Sequence, residues 1–208
     1  MNNNFIFKDY ANHLSKALDL VNQNQVDIFF NVFDSYIGSK ANIYLLGNGG
    51  SQANAHHISG DFIKTFSLAG LKLKISCLAD NVCHLTAAAN DLSYDESYSI
   101  LIDNLIDKDD LLIYLSGSGN SLNLVKCARK AKLREIKQAA LTGFNGGALN
   151  DIVDYPIHIK FNDMEICEDI QLSIFHYIKQ RLILKYSKNF EDLELPKYQK
   201  RTLEDLIS

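Results

Sequence analysis

Two short runs of small residues stand where a chain could grip an anion: Asn48-Gly49-Gly50-Ser51 and Ser116-Gly117-Ser118-Gly119-Asn120-Ser121. Each follows an apolar stretch that reads as a buried strand, residues 43–46 and 111–115, and each precedes a segment of helical character. A strand-to-helix turn presents unpaired backbone N–H groups at the positive end of a helix dipole, which suits a phosphate. Glycine lets the backbone approach the anion closely, and serine adds donors without a formal charge. The expected ligand is a small phosphorylated molecule.

The residues able to move protons lie further along the helices these turns start or close on. His57 and Asp61 are four apart, so they share a face, one position away from the apolar stripe Ile58, Phe62 and Phe66. They border the core without entering it. The neighbouring His56 competes with His57 for the site, and the stripe does not separate them. Near the C-terminus, Glu165, Glu168, Asp169 and His176 lie on a long helix whose Ile166, Ile170, Ile174, Ile178 and Leu182 recur at intervals of four, a core stripe. Cys83-His84 reads as structural. Asn90-Asp91 either ends a helix or points a carboxamide and a carboxylate into a pocket.

The elements that must position these groups alternate along the chain. Residues 5–37 read as two helices broken near Asn22-Gln23-Asn24. Strands are expected over 42–46, 71–78, 110–116, 136–141 and 155–159, with helices over 51–66, 82–89 and 94–106, a basic-faced helix from the second loop to about residue 134, and a long helix over 163–186. The strands are continuously apolar, which argues for a parallel sheet covered on both faces, with ligands bound beyond the carboxyl ends of its strands. The expected unit is a single domain over residues 1–188, with a charged tail over 189–208.

Composition narrows the class. A net charge of -4 disfavours a nucleic-acid partner. The four cysteines form no CxxC pair, so reduced, mostly buried thiols are expected. No apolar run reaches the length of a membrane span and no signal sequence is evident, so a cytoplasmic protein without a membrane partner is the expectation.

With those motifs in view, Gly47-Asn48-Gly49-Gly50-Ser51 with His57 six residues on, Leu85–Asp91 as Leu-Thr-Ala-Ala-Ala-Asn-Asp, Leu115–Ser121 and Ala140–Gly147 resemble a SIS (sugar isomerase) domain, most closely its bacterial phosphoheptose isomerase branch. The resemblance covers about residues 5–185 and implies a three-layer αβα sandwich with a five-stranded parallel sheet, leading helices and a long closing helix. It implies an aldose–ketose isomerase acting on sedoheptulose 7-phosphate through an enediol, for surface polysaccharide synthesis, in a homotetramer with active sites at subunit contacts. A non-catalytic sugar-phosphate-binding or scaffold module, or an isomerase of another sugar phosphate, is the alternative.

Residue by residue, the resemblance implies that Ser51, Ser116, Ser118 and Ser121 contact the phosphate, with Asn48, Gly49, Asn90 and Asp91 lining the site. Gly117 stands where the family has Thr, leaving only its backbone N–H to serve. Asp61 and His176 take the catalytic positions, Asp61 moving the proton between C1 and C2. Asp61 replaces the family's Glu and Glu168 its Gln; Glu165 stands at an acidic position. Some members hold zinc at the positions of His57, Asp61, Glu168 and His176; no nucleotide cofactor is implied. Residues 168 and 176 are eight apart, hence ~12 Å along a helix, so sharing one ion demands that both side chains lean together.

Overall fold

The computed structural model describes residues 5–191. Two helices lead, α1 (Phe7–Asp19) and α2 (Gln23–Asp34). Asn22 separates them as a cap: its side chain accepts from the N–H groups of Asn24 and Gln25, two of the donors a helix start leaves unpaired. Then follow β1 (Ile43–Leu46), α3 (Gly49–Leu68), β2 (Ile75–Cys77), α4 (Val82–Asp91), a short α5 (Ile102–Leu105), β3 (Leu111–Ser116), α6 (Leu122–Leu133), β4 (Lys137–Thr142), α7 (Gly147–Ile152), β5 (Tyr155–His158), α8 (Met164–Lys185) and α9 (Ser187–Glu191).

All five strands are parallel, in the order β2-β1-β3-β4-β5. The chain reverses its direction of travel across the sheet between β1 and β3, so the right-handed crossovers through α3 and α6 fall on opposite faces. One outer layer holds α3, which packs on β1, β2, β3 and α8, together with α1 and α2; the other holds α6 and α7, which pack on β4 and on each other. The central strand β3 is buried at every position, as the unbroken apolar run requires. This is the expected three-layer αβα architecture.

The core between α2, α3 and α8 is aromatic. Phe29, Phe33, Phe62 and Phe175 meet edge to face with centroids 5.2–6.2 Å apart, and Phe62 stacks on Phe66 at 5.8 Å. The five-residue stripe of α8 is buried throughout. Such ring pairs fix orientation as well as burying area, and here they set α3 against α8.

Two expectations about the elements are corrected. The strand over 71–78 shortens to Ile75–Cys77, because β2 is an edge strand and pairs only over the span where β1 faces it. The helix over 94–106 is instead two 3-10 turns (Tyr94–Glu96 and Ser99–Leu101) and the four-residue α5. Ser99 turns its hydroxyl back onto the Glu96 carbonyl and carboxylate, and Tyr98 is buried with its hydroxyl on the Gly47 carbonyl, 2.9 Å. Local side-chain bonds of this kind compete with an α-helical ladder. Helix α7 went unforeseen, hidden behind Gly146-Gly147. Of the expected tail, residues 189–191 belong to α9, and 192–208 lie outside the described residues.

Cys77, Cys127 and Cys167 are buried thiols and Cys83 is exposed. Burial pushes the Cys127 thiol up to about 12 and the Cys77 thiol to about 11, so both stay protonated. Among the described residues no helix is long and apolar enough to cross a membrane.

Candidate active site

Both Gly/Ser loops open at the carboxyl end of the sheet, on the neighbouring strands β1 and β3, where the topology reverses. A pair of side-chain bonds ties the first loop to the helix that follows the second. The side-chain amides of Asn48 and Asn123 donate to each other's carbonyl oxygens, both at 2.9 Å, and Tyr94 donates its hydroxyl to Asn48 Oδ1 at 2.7 Å. Asn123 lies in the first turn of α6 and is buried, so the start of α6 is tied to the start of α3.

In the second loop the hydroxyls are used in one direction only. Ser116 Oγ accepts from the Gly119 N–H at 3.1 Å, and Ser118 Oγ accepts from the Asn120 N–H at 3.2 Å. Among the described residues neither hydroxyl donates, so each keeps a proton for a further acceptor. Ser121 occupies the cap position of α6 without capping it, which leaves its hydroxyl and the N–H groups of Leu122 and Asn123 to an external acceptor, while the Leu124 N–H is taken by Asn123 Oδ1 at 3.0 Å. Gly119 has φ +64° and its α-carbon faces the Gly146 carbonyl, so no side chain fits there.

The first loop is arranged differently. Helices α3 and α8 run parallel, and their facing residues form a ladder. Ser51 Oγ donates to Glu168 Oε1 (3.3 Å); Asn54 donates to the Glu168 carbonyl (2.9 Å) and to Gln171 Oε1 (3.4 Å). One turn further, His57 Nε2 meets His176 Nε2 at 3.3 Å, and beyond them Lys179 Nζ binds the Asp61 carboxylate. Glu168 lies over Gly50, where any β-carbon would collide with its carboxylate. The protein's own carboxylate therefore sits at the start of α3, the place expected to receive phosphate. That leaves the second loop and the start of α6 for an external anion.

The four-residue set expected to hold zinc does not assemble. Ligand atoms of His57, Asp61 and His176 lie within 4.8 Å of one another, but Glu168 is engaged with Ser51 two turns up the helix. Asp61 is also committed: it is paired with Lys179 and lies 3.5 Å from Lys64 Nζ. Burial pushes its carboxyl pKa up, yet the hydrogen bond and charge of Lys179, with Lys64 and His57, outweigh burial and hold it below its ordinary value of 3.8. The neighbours that decide the Asp61 pKa are cations. A divalent ion would meet two ammonium groups on the one carboxylate that the described residues bring to it. The residues present do not fit the implied zinc site.

His56 and His57 separate cleanly. His56 Nδ1 pairs with Asp80 at 2.7 Å on the β2 side, while His57 faces α8. Asn90 donates to Asp91 at 2.8 Å at the exposed end of α4, and no hydrogen bond among the described residues joins that pair to either loop. Glu165 is exposed in the first turn of α8, and Asp169 accepts from the Tyr10 hydroxyl at 2.6 Å. His84 Nε2 contacts the Ser97 carbonyl at 2.9 Å, a structural bond. A concavity of about 310 Å³ lined by Ser35, Tyr36, Lys108 and Glu135 opens at the opposite end of the sheet, away from all the candidate residues. Lys179, Asn54 and Asn123 are site residues that sequence reasoning missed. Lys179 lies three positions after His176, a spacing that places both on one helix face and was the available signal.

Comparison with known proteins places the chain in a family. The family model described as the SIS domain matches residues 7–143, and the chain belongs to that family. Its relatives include phosphoheptose isomerases. That of Helicobacter pylori is 29% identical over 181 residues, covering 86% of this chain and 94% of the relative. The phosphoheptose isomerase 2 of Campylobacter jejuni is 34% identical over 134 residues, covering 64% of this chain and 67% of the relative. Among solved structures, the phosphoheptose isomerase of Neisseria gonorrhoeae superposes with a TM-score of 0.75 at 22% identity, covering 85% of this chain and 94% of that one.

Proposed function

We propose that this chain is a sugar-phosphate isomerase that interconverts sedoheptulose 7-phosphate and D-glycero-D-manno-heptose 7-phosphate through a cis-enediolate. The observation that carries the reading is the α3–α8 ladder, which runs from the loop region to a pair of imidazoles. The phosphate is received by the hydroxyls of Ser116, Ser118 and Ser121, the Gly117 N–H and the start of α6, with Asn48 and Gly49 lining the approach.

The proton work falls to His57 and His176. One imidazole takes a proton from C1 of the ketose while the other gives one to the O2 carbonyl oxygen, producing the enediol. Loss of the O1 proton and delivery of a proton to C2 complete the aldose. Positioned acid–base groups of this kind contribute roughly 10²–10⁴-fold each. Asp61, held ionised by Lys179, is a weak base but a good counter-charge for the imidazolium formed midway. This replaces the expectation that Asp61 itself moves the proton.

The names of the Helicobacter pylori and Campylobacter jejuni relatives support the substrate, and the cytoplasm is where such phosphorylated sugars would meet the enzyme. A homotetramer with sites at subunit contacts is part of the reading; Phe7, Leu92, Leu122 and Leu133 are exposed apolar residues able to form such contacts. The test is incubation with sedoheptulose 7-phosphate in D2O, followed by NMR. Aldose carrying deuterium at C2 is expected. Binding of the sugar phosphate without any aldose would replace this reading with that of a non-catalytic sugar-phosphate module.

A further inference from the structure

We propose that Lys179 takes the place of a divalent cation in this site, so that His57 and His176 work in a metal-free centre neutralised from within the chain. The inference rests on the isomerase reading for its catalytic meaning, but its physical content is a statement about binding. Three groups suited to a metal, His57, Asp61 and His176, converge within 4.8 Å. At that point the carboxylate is already bonded to an ammonium. Lys179 reaches it from α8, in a pair whose side chains are only 20% and 14% exposed for Lys179 and Asp61. Lys64 adds a second cation 3.5 Å away on α3.

A metal entering here would have to break the Lys179–Asp61 bond, leave an ammonium poorly solvated and accept two nearby positive charges. Mutual repulsion at such distances in a partly buried site is large compared with the benefit of one extra carboxylate ligand. Lys179 acts through Asp61, so it is a positioning residue. It holds the carboxylate beside the imidazole pair, where a metal would otherwise gather these groups.

Titration with Co(II), followed by its visible absorption, tests this without reference to turnover. Wild type and His57→Ala are expected to bind the same amount of cobalt. Lys179→Met is expected to bind at least about tenfold more tightly than wild type, since the competing ion pair is gone. That gain should vanish in Lys179→Met/His57→Ala and be absent in Lys179→Arg, which keeps the charge. The inference is overturned if wild type binds one equivalent more than His57→Ala, a comparison that stands even if Lys179→Met does not fold. It is equally overturned if Lys179→Met folds and gains nothing. Chelation should leave the wild-type isomerisation rate unchanged. Loss of turnover on chelation, restored by zinc, would refute the inference while upholding the isomerase reading. Absence of turnover altogether would remove that reading and leave the cobalt comparisons to be judged alone.

Discussion

The Asp61–Lys179 pair should be worth about 2 kcal/mol of coupling at neutral pH. That value follows from its burial. Exposed ion pairs contribute about 0.2–1 kcal/mol, whereas removing one partner of a fully buried pair costs about 3–5 kcal/mol. With side chains 14% and 20% exposed, this pair falls between those limits. Asp61→Asn should be the costlier single change, because it strands the Lys179 ammonium; Lys179→Met leaves Asp61 with Lys64 still 3.5 Å away. The double variant should recover part of the loss. The pH dependence has a definite sign. The folded-state pKa of Asp61 is depressed below 3.8, so its stabilisation is present above that unfolded value and lost as pH falls through the lower folded one. Urea denaturation of the four proteins, followed by circular dichroism at neutral pH and again between pH 5 and 3, gives the coupling at each pH. Coupling below about 0.5 kcal/mol at neutral pH, or coupling that stays constant down to pH 3, would refute the reasoning.

Two further outcomes are expected. Phe175 is fully buried against Phe29, Phe33 and Phe62, so Phe175→Ala should cost about 3–5 kcal/mol in denaturant unfolding; Phe175→Leu should keep the fold but lower turnover by shifting the adjacent His176. Asn123→Ala removes both amide bonds to Asn48 and should cost about 1–2 kcal/mol, while raising KM for the sugar phosphate more than it lowers kcat, as steady-state kinetics would report.

Much of the fold was legible because the signals were local. The fourfold spacing from Ile166 to Leu182 and the unbroken apolar run of β3 each need only one element to be read, and the αβα class follows from their alternation. Residues 94–106 were misread because two interactions that their apolar spacing does not report act together: Ser99 turns its hydroxyl back onto Glu96, and Tyr98 reaches the Gly47 carbonyl across 51 positions of sequence. The two Gly/Ser loops were recognised, but not their division of labour, which depends on a glutamate from the other end of the chain.

That glutamate also explains why Lys179 was invisible and how it could be found in another chain of this kind. Gly50 is needed because Glu168 occupies the space a side chain would fill. Once Glu168 is placed there, the parallel run of α3 and α8 leaves little freedom. Ten residues separate Ser51 from Asp61 and eleven separate Glu168 from Lys179, so helices of equal rise remain nearly in step over the whole contact. The imidazole pair and the Asp61–Lys179 bond then follow from the first rung. An acid anchored on the second glycine of the first loop thus sets the register of every later pair, and a lysine eleven positions after that acid marks the site as one whose carboxylate already has its cation.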